Sequence, residues 1–226
     1  CAVYAVGGWE DGYSNAVARM LAHLSCPVKG LVGPWGHKYP EQGIPEPAIG
    51  FLQHSLRWWD HWLKGINTGI MDEPAYTMFL QEHVAPDACL DAVPGKWITE
   101  PSWPSPRIKT RQLFLNASGL GYEAEDETLL SHESPQTLGV AGGSWCPYGL
   151  GGVSPDLAVD QREDDGRSLV FDSSPLTDAL VVVGAPEVHL RLAVDQANAF
   201  VVVRLTDVSP DGVSRRVSYG MLNLSR

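Results

Sequence analysis

Two short apolar runs near the start of the chain each break off into glycine. AVYAV leads into Gly7, Gly8, Trp9, Glu10, Asp11, Gly12 and Tyr13, and VKGLV leads into Gly33, Pro34, Trp35, Gly36 and His37. Short apolar runs bounded by Gly and Pro are the pattern of buried strands. Between them, within residues 14–25, Val17, Met20, Leu21 and Leu24 fall at helical spacing. A longer helical pattern covers residues 48–64, with Phe51, Leu52, Leu56, Trp59 and Leu63 along one face and Gly65 as its stop. From about Met71 the periodicity shortens to two. Residues 75–80 and 112–115 read as strands, 97–106 as an irregular proline-containing stretch, and 120–155 as a long Gly, Ser and Pro connection that wraps the surface and reaches towards the neighbouring domain, anchored at Trp145, Cys146 and Pro147. Residues 169–172, 180–184, 187–194, 199–207 and 215–222 read as short strands separated by turns, which indicates a sandwich or barrel.

The opening strand, helix and strand form a crossover unit, so the two strands are expected to be parallel and the connection right-handed. Parallel strands deliver their C-terminal ends to one rim, where open α/β sheets place ligands. Asp11 follows the first strand and His37 the second, 26 residues later. A carboxylate and an imidazole on one rim are what a general base and the acid that orients it require.

Composition narrows the partners. Lys plus Arg number 16 against 27 Asp plus Glu, a formal net charge of −11. Such a chain repels phosphate backbones and anionic lipid, which argues against nucleic acid and membrane surfaces. Apolar content of 44% supports a packed core, and no apolar run approaches the length of a membrane span. The cysteines, Cys1, Cys26, Cys89 and Cys146, match no metal-binding spacing and no disulfide framework. They read as free thiols of a reducing compartment, hence a cytoplasmic protein.

GGWEDGY followed by GPWGHKYP resembles the acid and histidine loops of the cocaine-esterase-like and X-Pro dipeptidyl-peptidase family of serine hydrolases (peptidase family S15). RWWDHWLKG, DQREDDGRSLVFDSSPL and RLTDVSPDG extend the resemblance over most of the chain. It implies a fold that is α/β plus β. Residues 1–70 would be the C-terminal part of an α/β-hydrolase catalytic domain, and 71–226 a jelly-roll β-sandwich that stops short of completion. It implies Asp11 and His37 as two members of a Ser-Asp-His triad, acting on a small ester, amide or peptide, with no cofactor and no metal. It also implies Tyr13 as a neighbour of the substrate. Homo-oligomer formation is left open. The family's Gly-x-Ser-x-Gly nucleophile elbow is absent from these residues. The chain is therefore expected to be a C-terminal fragment, inactive by itself.

Each candidate has a plainer structural reading. Asp11 suits a turn or a helix N-cap. His37 suits an exposed loop, and Tyr13 suits a core. Trp9 and Trp35 read as packing wedges, Glu10 as a surface carboxylate, and residues 160–167 as a solvated charged turn with Arg162 pairing locally. Trp58, Trp59 and Trp62 read as packing of their helix on the sheet, and His54, Asp60 and His61 lack metal-ligand spacing. Cys1 paired with His37 would be an N-terminal nucleophile. A non-catalytic jelly-roll binding or assembly module is the competing reading of the whole.

Overall fold

A computed structural model describes residues 1–148 and 156–225. It shows mostly small β-sheets with few helices. The chain divides into two compact units, one of residues 1–107 and 143–158, the other of residues 108–142 and 159–226. The end of the expected surface connection, residues 149–155, lies outside the described residues. No helix among the described residues is long and apolar enough to cross a membrane.

The first unit is built on a four-stranded sheet in the order β1-β2-β3-β4, with β1 at Val3–Gly8, β2 at Val28–Gly33, β3 at Tyr76–Gln81 and β4 at Gly95–Glu100. β1 and β2 are parallel from Val3↔Val28 to Gly8↔Gly33. β3 adds parallel to β2, and β4 antiparallel to β3. The change of periodicity near Met71 therefore falls between two strands of one sheet. Residues 97–100, expected to be irregular, belong to β4, because Trp97 and Ile98 find Phe79 and Met78 opposite them. Helix α1, Ala16–His23, crosses between the parallel strands and buries Val17 and Leu21.

Helix α2, Phe51–Lys64, ends where Gly65 takes the left-handed conformation at φ 71°, which lets it cap the last turn without the penalty a Cβ would bring. Its expected inward face is corrected. Trp58 is the buried residue and packs 5.3 Å from Tyr4 of β1, while Leu52, Leu56, Trp59 and Leu63 are exposed. Periodicity locates an apolar stripe but not the side of the helix that meets the sheet. Burial pushes the Tyr4 phenol up to about 12.

Lys29, buried on β2, donates to the carbonyls of Ile70 at 2.5 Å and Glu73 at 2.9 Å, tying down the link from α2 to β3. Burial pulls its ammonium below the ordinary lysine range, with the Glu73 carboxylate working against that shift.

The second unit contains two hairpins and a short helix. β5, Phe114–Asn116, pairs with β6, Gly119–Gly121, and β7, Phe200–Val208, pairs with β8, Ser214–Asn223. The strands expected at 169–172, 180–184 and 187–194 are not formed. Val188, Leu190, Leu192 and Val194 keep their alternation but remain about half exposed. A strand needs a hydrogen-bonded neighbour as well as a pattern, and no ladder is formed there.

Residues 160–167 are only in part the solvated turn that their charge suggests: Arg162, Glu163, Gly166 and Arg167 are exposed, whereas Gln161 and Asp164 are buried. Helix α3, Arg162–Asp165, turns Asp164 into a buried polar hub. Gln161 is fully buried and donates to the carbonyls of Ala141 and Val159. Buried Asp164 accepts from the backbone N–H of Gly139 and Ala141 at 3.1 and 3.3 Å. Arg204 of β7 donates to Gln161 and lies 3.6 Å from Asp164 and 2.9 Å from Asp165. Arg162 does pair locally, with Asp160 at 2.6 Å, and its guanidinium holds the Asp160 carboxyl below the usual carboxylate range.

Two stability effects are expected. Asp164→Ala leaves two backbone N–H groups without their acceptor and takes the more distant of two carboxylates from Arg204, and should cost about 1–3 kcal/mol in denaturant unfolding. A double-mutant cycle with Arg204→Met measures the share of that loss the two residues hold in common; a coupling of zero would mean the pair does not act as a unit. Trp35→Ala, which empties a site only 1% exposed, should cost about 3–5 kcal/mol.

Candidate active site

The rim is assembled from backbone first. β1 and β2 end side by side at Gly8 and Gly33. The chain leaving β1 stays attached to the second loop, with Trp9 N–H donating to Gly33 C=O at 2.9 Å and Glu10 N–H to Trp35 C=O at 3.1 Å. The Trp9 indole N–H donates to Phe79 C=O of β3 at 2.7 Å. A Cβ on Gly8 would strike the Trp35 carbonyl, and one on Gly33 or Gly43 would strike the Trp35 ring. These glycines let the wedge seat directly over the strand ends, and its indole N–H donates to Pro47 C=O at 2.8 Å.

Asp11 turns the chain towards α1. Its Oδ1 accepts from Tyr13 N–H at 3.0 Å, and its backbone C=O accepts from Ser14 N–H at 3.1 Å. The carboxylate thus serves a turn and still faces His37. Nδ1 of His37 lies 3.1 Å from Asp11 Oδ2 and 3.3 Å from Oδ1. The Asp11 side chain is 12% exposed and that of His37 41%. With Nδ1 donating to the carboxylate, the imidazole is held in the tautomer whose lone pair is on Nε2, the nitrogen turned away from the acid.

A distant segment completes the surroundings. Pro147 C=O accepts from His37 N–H at 2.6 Å. The Tyr148 ring stands edge-on to the imidazole at 5.5 Å, and the Trp145 ring edge-on to Tyr13 at 5.6 Å. Tyr13 lies 5.9 Å from the imidazole and is 55% exposed, so it is not a core residue. Cys146 Sγ lies 3.9 Å from Asp11 Oδ1.

Of the residues expected at the site, Asp11, His37 and Tyr13 therefore come together. Trp145, Cys146 and Tyr148 come to it from more than a hundred residues downstream. Their expected anchoring was legible as a Trp-Cys-Pro cluster in a Gly-rich stretch, but its target was not. Cys1 stands beyond the opposite end of β1. At about 3.3 Å per residue a six-residue strand separates it from the rim by about 20 Å, which removes it as a partner of His37. Among the described residues, one group of three potential metal-binding side chains forms, Asp11, His37 and Cys146, with donor atoms within 4.8 Å of one another. His54, Asp60 and His61 form no such group.

Comparison with known proteins agrees with the resemblance carried by the loops. The chain is 30% identical over 233 aligned residues to a protein of Mycobacterium bovis named as a serine esterase, and equally to one of Mycobacterium tuberculosis with the same name. The alignments take in 98% of this chain and 35% of each relative, so the chain spans about a third of their length. The family profile described as the X-Pro dipeptidyl-peptidase C-terminal non-catalytic domain matches residues 68–226. With that profile covering well over half of its residues, the chain belongs to the X-Pro dipeptidyl-peptidase C-terminal domain family of the serine esterases and S15 peptidases.

Proposed function

We propose that the chain is part of a serine hydrolase in which Asp11 and His37 are the acid and the base of a Ser-Asp-His triad, the serine being supplied by another part of the protein. On this reading residues 1–70 carry the C-terminal part of an α/β-hydrolase sheet, to which β3 and β4 add, and the second unit within 71–226 belongs to a jelly-roll β-sandwich. The observation that carries it is the 3.1 Å contact between Asp11 Oδ2 and His37 Nδ1 at the shared rim of two parallel strands. The serine esterase names of the Mycobacterium relatives support the reaction class.

The chemistry follows from the tautomer. Nε2 of His37 takes the serine proton as the hydroxyl attacks an ester or amide carbonyl, and Asp11 stabilises the imidazolium that forms. The same nitrogen returns the proton to the leaving group. Water, activated again by Nε2, then releases the acyl group. Tyr13, half exposed beside the imidazole, forms one wall of the space for the acyl or leaving group. The non-catalytic alternative, a binding or assembly module, draws on the description of the matched domain as non-catalytic. That description covers residues 68–226, whereas the acid and the histidine lie before them.

In the full-length protein, His37→Ala should remove nearly all turnover of a p-nitrophenyl ester. Asp11→Asn should lower kcat by about 10⁴, because the amide favours the wrong tautomer. Wild-type rates in both variants, or no labelling of the full-length protein by a fluorophosphonate, would favour the binding module.

Tyr13→Ala should reorder acyl substrates by kcat/KM and leave the melting temperature nearly unchanged, since a half-exposed ring supports little packing. A large fall in melting temperature with an unchanged substrate ranking would place Tyr13 in a structural role instead.

A further inference from the structure

We propose that Asp11, His37 and Cys146 form a binding site for a thiophilic divalent cation of the zinc class, and that its occupation disables His37 as a base. The effect on activity rests on the triad reading, whereas the binding itself does not. The donor set is one carboxylate, one imidazole and one thiol. Three protein ligands with a fourth position open to water is the arrangement zinc accepts at non-structural sites. Tetrahedral zinc, with bonds of about 2.3 Å to sulfur and about 2.0 Å to nitrogen and oxygen, sets its ligand atoms about 3.3–3.5 Å apart. Here Sγ of Cys146 is 3.9 Å from Asp11 Oδ1, and His37 Nδ1 is 3.1–3.3 Å from the two carboxylate oxygens. All three donors fall within 4.8 Å of one another, close to the spacing that a shared ion sets. The imidazole is 41% exposed, which leaves a way in for the ion. The hydrogen bond from His37 N–H to Pro147 C=O holds the backbone next to Cys146 against the histidine loop.

The proton balance explains the effect. Binding displaces the thiol proton to solvent and leaves a thiolate on the metal. Nδ1 gives up its hydrogen bond to Asp11 and coordinates through its lone pair, and the imidazole proton moves to Nε2. The imidazole stays neutral, but Nε2 now carries a proton and cannot accept one from a serine. Because the thiol proton leaves as the ion binds, affinity should rise with pH.

The test is a titration of the full-length protein with Co²⁺, which reports sulfur ligation as a thiolate-to-cobalt charge-transfer band, and with Zn²⁺ by calorimetry. Expected are a 1:1 complex, the charge-transfer band, and at least tenfold weaker Zn²⁺ binding in Cys146→Ser and Asp11→Asn. Cys26→Ser and Cys89→Ser should keep the band. Ester hydrolysis should be inhibited by Zn²⁺ and restored by EDTA, and Cys146→Ser should need at least tenfold more Zn²⁺ to lose half of its own metal-free rate. Circular dichroism melts check folding, with Cys146→Ala as the second variant. Absence of the band, or equal Zn²⁺ affinity in wild type and both Cys146 variants, would overturn the site. A normal band in a protein without hydrolase activity would instead overturn the triad reading and leave the metal site standing.

Discussion

Gly8 and Gly33 face each other in the last pair of the β1–β2 ladder, and Trp35 packs over both. The arrangement at the rim depends on that register. Parallel pairing makes the two strands end together, and the absence of side chains at their ends allows the loops to share hydrogen bonds. Moving one strand by a single residue would reverse which side chains face the core. It would also separate Trp9 and Glu10 from their acceptors on the second loop. Asp11 and His37 meet because they are the third and fourth residues beyond strands held in this register.

Around this pair the structure combines rigid and open elements. Trp35 is buried and hydrogen-bonded, Trp9 is tied to β3, and the Asp11 carboxylate is committed to its own turn. The histidine is different: it is well exposed and ringed by Tyr13 and Tyr148. A carboxylate held by the backbone beside an accessible imidazole is the geometry that the proposed proton transfer needs. The Trp145–Tyr148 segment adds a thiol and two aromatic rings to the same place from far along the chain, so the neighbourhood of the pair is a product of long-range folding.

The second unit shows the opposite balance. Its centre is polar, built from Gln161, Asp164 and Arg204, and the alternating apolar segment at 187–194 is left without a ladder. Buried polar groups are tolerable where every member is satisfied. Here the backbone of residues 139–141 supplies donors to Asp164 and an acceptor to Gln161. Charge density is therefore an incomplete guide to exposure: Arg162, Glu163 and Arg167 stay at the surface while Asp164 of the same run is buried beside Arg204.

Local chemistry alone determined a good part of the molecule. The two glycine-terminated runs, the intervening helix, the stop at Gly65, the β7–β8 hairpin and the placement of Asp11 and His37 on one rim all follow from short-range periodicity, glycine and the handedness of crossovers. The family resemblance was likewise carried by contiguous loops. Tertiary structure decided the rest. It placed β3 and β4 in the first sheet, turned α2 onto Trp58, buried Asp164 and brought Cys146 to Asp11. Each of these depends on a partner distant in sequence: β2 for β3, Tyr4 for Trp58, Arg204 for Asp164, and the Asp11–His37 rim for Cys146. Periodicity reports what a segment offers to its surroundings, but the partner that accepts it is chosen only when the chain closes on itself.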